Sequence, residues 1–279
     1  MDTGQTVQKS CISYLFVPGN RPERFARACG SGAHAVIIDL EDAVAPEYKR
    51  AARDACAATL AQQRPVHVPV VVRINGADTE WFGDDVEMCR AAGVAAVAGV
   101  MVPKAERIED MARVASRIGA QVPLLPLIET AQGMWNVIDI ARQPGVQRLA
   151  FGSIDFQVDL GIDGDGEELL HFRSQMVLAS RVACILAPLD GVTTAIDDEE
   201  RLRADTHRAR RLGFGGKLCI HPRQVEPVNA GFRPSEDDVR WARRVVQLAA
   251  GANGAAVSVD GKMVDKPVML RAQAILARL

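Results

Sequence analysis

Short runs of hydrophobic residues alternate with longer amphipathic segments along most of the chain. This alternation is typical of β/α units, in which helices cover a sheet of parallel strands. Eight runs are predicted to be strands: Ser13–Pro18, Ala35–Leu40, Val68–Ile74, Ala98–Pro103, Pro123–Ile128, Arg148–Gly152, Gly191–Thr194 and Lys217–Ile220. The seventh run is short and polar for a buried strand.

Amphipathic segments between these runs predict helices. Tyr48 to Gln63 is one such segment, in which Ala51, Ala55, Ala58 and Leu60 are expected to share a stripe. Eight alternations within about 230 residues favour a closed (β/α)₈ barrel, the TIM barrel. A doubly wound open sheet is the alternative, but the first strand runs into a Pro-Gly-Asn-Arg-Pro segment and not into a glycine-rich dinucleotide turn.

The end of the chain carries elements that a barrel does not need. We therefore divide the chain into a barrel, residues 1–232, and a C-terminal arm, residues 233–279. Ser235 is predicted to cap a helix that runs to Ala250. Residues 257–264 are expected to form a hairpin with Asp260-Gly261 as its turn, and Pro267 to open a final helix.

Composition narrows the class of protein. The chain has 279 residues, is 48% hydrophobic and carries a net charge of −2, which argues against a nucleic-acid or membrane-surface binder. The polar first ten residues predict no secretory signal, and the longest apolar stretch is too short to span a bilayer. Six cysteines stand singly among apolar residues, so we expect buried free thiols in a reducing cytoplasm.

Charged or polar residues follow the predicted strands repeatedly. In a parallel barrel all C-terminal strand ends lie on one face, where active sites are found. A single polar strand end has an equally good explanation in solvent exposure, but six together predict one pocket. The residues concerned, in strand order, are Asp39, Glu41 and Asp42, then Arg73, Lys104, Glu129, Asp155 and His221.

Glu129 and Asp155 are separated by about one β/α repeat, so they are expected on adjacent strands. Two neighbouring carboxylates repel each other unless a cation lies between them. An all-oxygen site with few protein ligands suits Mg²⁺, which keeps several waters that a substrate can displace. Arg73 on a third strand is placed to bind a substrate carboxylate through its forked guanidinium.

The remaining strand-end residues receive supporting roles. Asp39, Glu41 and Asp42 are expected to hold metal-bound waters or to orient Arg73 and Lys104. His221 is as well explained by a satisfied histidine at a strand end as by contact with a ligand.

Several segments also resemble one known family, in order along nearly the whole chain. The chain is similar to citrate lyase β-subunit-like proteins of the HpcH/HpaI aldolase group, which includes malyl-CoA and citramalyl-CoA lyases. The matching segments are Leu15–Arg24, Ile37–Val44, Val72–Asn75, Pro126–Thr130, Phe151–Asp155 with Asp159–Gly161, Gly216–Pro222 and Asp260–Pro267.

The resemblance implies a phosphoenolpyruvate/pyruvate-type TIM barrel that assembles as a homotrimer or hexamer. It implies Mg²⁺ on Glu129 and Asp155, and Arg73 on the carboxylate of a keto acid. It also implies coenzyme A near the first loop, with Phe16, Arg21, Arg24, Arg27 and His221 as candidate contacts.

In the CoA-lyase branch of this family, an aspartate from the C-terminal arm of a neighbouring subunit is the acid/base. Asp265 matches that position, and the alternative is an aspartate that caps the final helix. Two departures, Asn20 where an aspartate is common and Thr193 where an aromatic residue is often found, leave the acyl group open.

The function expected from the resemblance is Mg²⁺-dependent retro-Claisen cleavage of a 3-hydroxyacyl-CoA, of malyl-, citramalyl- or citryl-CoA type, into a 2-keto acid and an acyl-CoA. Three alternatives stay open: an acyl-CoA thioesterase at the same site, a CoA-free aldolase acting on pyruvate or oxaloacetate, and the citryl-ACP lyase β subunit of a citrate lyase complex.

Overall fold

Eight parallel strands close into a barrel in chain order, and the first strand pairs with the last. The structure is a computed structural model that describes residues 11–62, 68–119, 121–250, 257–259 and 262–277. The barrel strands are β1 (Ser13–Pro18), β2 (Ala35–Asp39), β3 (Val70–Arg73), β4 (Gly99–Val102), β5 (Leu124–Ile128), β6 (Arg148–Phe151), β7 (Leu186–Asp190) and β8 (Gly216–Cys219). The predicted TIM barrel is confirmed, and the open-sheet alternative is wrong.

The described residues form twelve α-helices, most of them between successive barrel strands. They are α1 (Phe25–Cys29), α2 (Lys49–Ala61), α3 (Phe82–Ala92), α4 (Ile108–Ile118), α5 (Ala131–Trp135), α6 (Val137–Ala141), α7 (Ser153–Leu160), α8 (Leu170–Val182), α9 (Glu199–Leu212), α10 (Val225–Phe232), α11 (Glu236–Ala250) and α12 (Lys266–Leu276). Helix α2 is where the sequence predicted it, but the stripe was wrong, because Ala51 and Ala58 are exposed and α2 buries Lys49, Ala52 and Cys56 with Leu60.

The seventh strand was predicted wrongly. It is Leu186–Asp190, and the predicted segment Gly191–Thr194 forms part of the loop that follows. On β6, Arg148 and Ala150 are two residues apart, but their partners on β7, Leu186 and Leu189, are three apart. The extra residue makes a β-bulge in this strand. Leu186 and Ala187, the first two residues of β7, are not buried, so this strand lacks the fully buried run that marks most of the other barrel strands.

The barrel interior is filled with side chains. Tyr14, Ile37, Val71, Met101 and Leu127 belong to its buried apolar cluster. At the opposite end to the C-terminal strand ends, the buried Arg148 guanidinium donates to backbone carbonyls of two other segments, at 2.6 and 2.7 Å. A packed interior leaves the C-terminal ends of the strands as the place for a site.

Contacts divide the chain into two units, Met1–Asn229 and Ala230–Leu279. In the second unit, Ser235 caps α11 as predicted, because its Oγ accepts the Asp238 backbone N–H at 3.0 Å. Strands β9 (Val257–Val259) and β10 (Lys262–Val264) pair antiparallel, and the predicted turn between them lies outside the described residues. No helix in the described part of the chain is long and apolar enough to cross a membrane.

Candidate active site

A cavity of about 390 Å³ lies at the C-terminal ends of the barrel strands. Six of the residues predicted for the site line it: Phe16, Asp39, Asp42, Arg73, Glu129 and Asp155. Alternation along the strands explains three of them, because Asp39, Arg73 and Glu129 each stand two positions after an inward residue of the buried cluster, Ile37, Val71 and Leu127. The barrel therefore aims these polar side chains inward.

Glu129, directly after β5, is a buried carboxylate with one open oxygen. Its side chain is almost fully enclosed, and Oε1 accepts the backbone N–H of Lys104 at 2.7 Å. Oε2 has no hydrogen-bond partner among the described residues. Burial raises the pKa of Glu129 to about 8, helped by repulsion from Glu41 and Asp155 and opposed by Lys104 and Arg73. Such a group favours either a proton or a cation.

Asp155 is brought close to Glu129 by a helix and not by a strand end. Strand β6 stops at Phe151, and Asp155 lies in the first turn of α7, where helix N–H groups favour an anion. Gly152 makes the approach possible, since a Cβ there would lie 2.5 Å from Cβ of Glu129 and 2.6 Å from its Oε2. The sequence therefore placed Asp155 correctly on the active face, but on the wrong element.

The donors at this position fit a magnesium ion. They are two carboxylates, of which one has an open buried oxygen, and the Ser153 hydroxyl also lacks a partner among the described residues. No group of three or more histidine, cysteine, aspartate or glutamate side chains in the described ranges is placed to bind a metal. Few protein ligands, all oxygen, match the preference of Mg²⁺ for keeping several waters.

Arg73, the last residue of β3, forms ion pairs with three carboxylates. Asp39 stands opposite it on β2 and accepts Nε–H at 2.7 Å and Nη2–H at 2.6 Å. Nη1 pairs with Glu41 at 2.9 Å and with Asp42 at 3.3 Å, and the guanidinium lies 5.0 Å from the Phe16 ring centre. Burial alone would lower the pKa of Arg73, but Asp39, Glu41 and Asp42 raise it overall.

Lys104 contacts two carboxylates of the site, Glu129 and Glu41. Its backbone N–H donates to Glu129, and its Nζ lies 2.7 Å from Oε1 of Glu41. Its φ of 45° is left-handed, a conformation that costs a lysine about 1–3 kcal/mol and persists only where surrounding contacts hold it. Lys104 and Glu41 do not line the cavity, but each contacts a residue that does, Glu129 and Arg73 respectively.

The candidate coenzyme A contacts lie on the same face. Arg21, Arg24 and Arg27 follow β1 and are exposed, and Arg21 pairs with Glu23 at 2.6 Å. His221 follows β8 and accepts the Arg223 backbone N–H through Nδ1 at 3.2 Å, so it caps a short 3₁₀ helix. These four predicted residues do not line the cavity itself.

Asp265 belongs to the second unit and caps α12. Its Oδ1 accepts the Val268 backbone N–H at 3.3 Å, which is the helix-capping geometry that the sequence left as the alternative. The side chain remains partly exposed, so a carboxylate oxygen is open to a further partner.

Sequence reasoning missed several residues that shape the cavity. Gly152, Ser153, Ile154, Val192 and Ile220 line it without having been predicted. Each stands one or two residues from a strand end, or beside a predicted residue, but small and apolar side chains at such positions carry no chemical signal.

Substitution of Gly152 tests the packing around Glu129. We expect Gly152→Ala to displace the Glu129 carboxylate. As a result, Mg²⁺ affinity should fall by about tenfold or more, and the free energy of unfolding should fall by about 1–3 kcal/mol. Calorimetric titration with MgCl₂ and urea unfolding measure the two effects. Gly83→Ala is the control, because a Cβ there meets only the tip of Arg117, at 3.8 Å. Unaltered Mg²⁺ affinity in Gly152→Ala would contradict the placement of the ion.

The pKa of Glu129 predicts a pH dependence for the metal-free protein. The native state holds this proton up to a pH of about 8, whereas the unfolded chain releases it near 4.5. The stabilisation that this bound proton gives the fold is therefore complete below the pKa of Glu129 in the unfolded chain. It is lost as pH rises through the pKa of Glu129 in the folded protein. In EDTA, the unfolding free energy of wild type minus that of Glu129→Gln should fall across this window. Parallel curves for the two proteins would refute the shift.

The amino-acid sequence of the chain is similar to those of known proteins. The sequence profile described as HpcH/HpaI aldolase/citrate lyase matches residues 13–222. The chain is 39% identical over 278 residues to the citrate lyase subunit beta-like protein of Deinococcus radiodurans, covering 95% of this chain and 96% of that protein. It is 36% identical over 270 residues to the (3S)-malyl-CoA thioesterase of Cereibacter sphaeroides, covering 95% and 93%.

A solved structure gives the same result in three dimensions. The protein CitE from Mycobacterium tuberculosis, in complex with magnesium, acetoacetate and coenzyme A, superposes with a TM-score of 0.83 at 34% identity. The match covers 96% of this chain and 98% of that one, so it includes the barrel and the segment beyond it.

Proposed function

The chain belongs to the HpcH/HpaI aldolase/citrate lyase family, and we propose that it is a Mg²⁺-dependent carbon–carbon lyase. It cleaves a 3-hydroxyacyl-CoA thioester of malyl-, citramalyl- or citryl-CoA type into a 2-keto acid and an acyl-CoA. The observation that carries this proposal is the buried Glu129 carboxylate, with one unpartnered oxygen, beside Asp155 and near Arg73 at the barrel mouth. The ligands of the Mycobacterium tuberculosis structure, magnesium, acetoacetate and coenzyme A, support the same ligand classes here.

Glu129 and Asp155 would hold the ion. When bound, Mg²⁺ supplies Lewis-acid stabilisation of negative charge on the substrate oxygen. Arg73 binds the carboxylate that remains with the keto acid, through the forked geometry of its guanidinium. As the bond between the hydroxyl-bearing carbon and the α-carbon breaks, the hydroxyl releases its proton to solvent and its oxygen becomes the carbonyl oxygen of the keto acid. The electrons of the broken bond move into the thioester, and Asp265 of a neighbouring subunit donates a proton to the α-carbon.

The coenzyme lies toward the first loop in this proposal. Phe16 contributes an apolar wall of the cavity, while Arg21, Arg24 and Arg27 offer cations for phosphates. His221 follows β8, which pairs with β1, and lines the same side. The enzyme is proposed to be a cytoplasmic homotrimer or hexamer whose C-terminal arm, residues 233–279, reaches a neighbouring barrel. The six cysteines lie in the described ranges and form no disulfide, which suits a reducing compartment, although Cys184 is exposed and not buried as expected.

Turnover of purified malyl-, citramalyl- and citryl-CoA tests the reaction and names the substrate. With Mg²⁺, one of them should release glyoxylate, pyruvate or oxaloacetate together with an acyl-CoA, and EDTA should stop the release. If free keto acids react in the absence of coenzyme A, the enzyme is instead a CoA-free aldolase. Mg²⁺ binding without turnover of any thioester would favour the β subunit of a citrate lyase complex.

A thioesterase at the same site is the second candidate, because the Cereibacter sphaeroides relative carries that name. In this reaction water hydrolyses the thioester of the hydroxyacyl-CoA itself, so free coenzyme A appears together with the intact hydroxy acid. Free thiol without any keto acid would make this candidate correct and the lyase proposal wrong.

Mixed oligomers test the role of Asp265. We expect Glu129→Gln and Asp265→Asn homo-oligomers to be inactive, whereas co-refolded mixtures should regain activity, because some sites then combine an intact Glu129 with an intact Asp265 from a neighbour. An inactive mixture with a native oligomer size would contradict a site shared between subunits.

A further inference from the structure

Arg73 already pairs with three carboxylates. Asp39, Glu41 and Asp42 together contact Nε, Nη1 and Nη2, the three nitrogens of its guanidinium. Among the described residues, Arg73 is also the one basic residue in the cavity lining. A substrate carboxylate that binds there must therefore either add a fourth anion to one cation or replace an anion already present.

Asp39 is not replaceable. It is buried, and both of its oxygens accept backbone N–H groups in addition to Arg73: Oδ1 from Glu41 at 2.9 Å and Oδ2 from Ala43 at 3.2 Å. Removing it would leave a buried charge and two backbone donors unpaired, which is costly.

Glu41 is held from its far side. Oε1 pairs with Nζ of Lys104 at 2.7 Å, and Oε2 accepts the Asp42 backbone N–H at 3.1 Å while contacting Arg73. The side chain is buried and does not line the cavity. Glu41 therefore stays in place when the cavity fills.

Asp42 differs from both in its exposure and in how few contacts hold it. Its side chain is 54% exposed and lines the cavity. Within the described part of the chain, its carboxylate makes one ion pair, the 3.3 Å contact with Nη1 of Arg73. Because Asp42 is exposed, water competes for its carboxylate, whereas Asp39 and Glu41 are enclosed, so Asp42 is the carboxylate that a better ligand displaces most readily.

We propose that Asp42 is an exchangeable carboxylate, which occupies Nη1 of Arg73 in the empty enzyme and yields that position to the carboxylate of the substrate. Asp39 and Glu41 remain bound and keep the guanidinium oriented. The inference rests on the proposed function, since it assigns Arg73 to the keto-acid carboxylate.

The exchange makes Asp42 a specificity-determining residue. If a neutral group of a substrate, such as an amide, displaces Asp42 from Nη1, the positive charge of Arg73 loses one of its three neighbouring anions and gains none. A carboxylate replaces the lost anion, and so keeps the number of anions around Arg73 constant. The contact with Asp42 thus lowers affinity for the correct substrate but penalises an uncharged one more.

Binding of oxaloacetate in saturating MgCl₂, measured by calorimetry, tests the exchange without turnover. Asp42→Asn removes the competing charge, so its Kd for oxaloacetate should be about fivefold lower than that of wild type. Asp42→Glu keeps the charge and should show little gain. Asp84→Asn is the matched control, because Asp84 is 74% exposed and pairs with Arg53 at 3.0 Å on another part of the surface.

The outcomes separate this inference from the proposed function. Unchanged or weaker oxaloacetate binding by Asp42→Asn, with wild type still binding, overturns the exchange alone. If Asp42→Asn weakens both Mg²⁺ and oxaloacetate, Asp42 supports metal-bound water, and the exchange is again wrong. A wild-type protein that binds Mg²⁺ but no oxaloacetate overturns the assignment of Arg73, and the exchange with it.

Discussion

Glu129→Gln should reduce turnover at least about 100-fold, because it removes the charge of the buried carboxylate at the metal position. The amide keeps the size of the side chain and an oxygen that accepts the Lys104 backbone N–H, so the fold should survive. Calorimetric titration with MgCl₂ should show a corresponding loss of affinity. The loss identifies the open oxygen of Glu129 as the feature that binds the ion, and not the shape of the cavity.

A measurement of stability shows whether Glu129→Gln loses Mg²⁺ affinity because the site has changed or because the protein unfolds. At neutral pH the metal-free variant should be no less stable than the wild type, because burial opposes ionisation of Glu129. Glu87→Gln is the matched control, since Glu87 is an exposed glutamate whose partner is Arg90 in the same helix. Near-wild-type turnover by Glu129→Gln would remove Glu129 from the site.

Arg73→Met should have the second large effect. Asp39 and Glu41 are buried around the guanidinium, and removing the cation leaves them uncompensated, at a cost of about 3–5 kcal/mol in the free energy of unfolding. The same variant should lose measurable binding of oxaloacetate, since no other basic residue of the described ranges lines the cavity. Urea unfolding and calorimetry report the two losses.

A double variant shows whether charge causes the stability loss. Asp39→Asn in the Arg73→Met background should cost less than the sum of the two single changes, because it removes one of the uncompensated charges. Additive costs would mean that packing, and not the ion pair, makes Arg73 important for the fold.

Much of the barrel and of its polar mouth could be predicted from the sequence. Strand β1 has the predicted bounds, and most other strands differ by one or two residues, because buried parallel strands are continuous apolar runs. Asp39, Arg73 and Glu129 were placed correctly on the active face because their strands end in charge. Strand β7 was missed: its first two residues are not buried, and a bulge shifts its pairing with β6, so it differs from the continuous buried runs of most other strands.

Other features of the site depend on three-dimensional packing. The sequence shows that Arg73, Asp39 and Asp42 stand at strand ends, but it does not show that the guanidinium already carries three carboxylates. That follows from register, which sets Asp39 directly opposite Arg73. Likewise, nothing in the sequence indicates a role for Gly152, which has no functional group. Its role is visible only in the structure, where the Glu129 side chain occupies the space that a Cβ would fill.

The most direct test of the lyase account is a product balance on one thioester. In Mg²⁺, NMR of the reaction with the best substrate of the panel should show keto acid and acyl-CoA appearing in equal amounts, and neither should appear in EDTA. Free coenzyme A with the intact hydroxy acid, or keto acid release that survives EDTA, would contradict a metal-dependent carbon–carbon lyase.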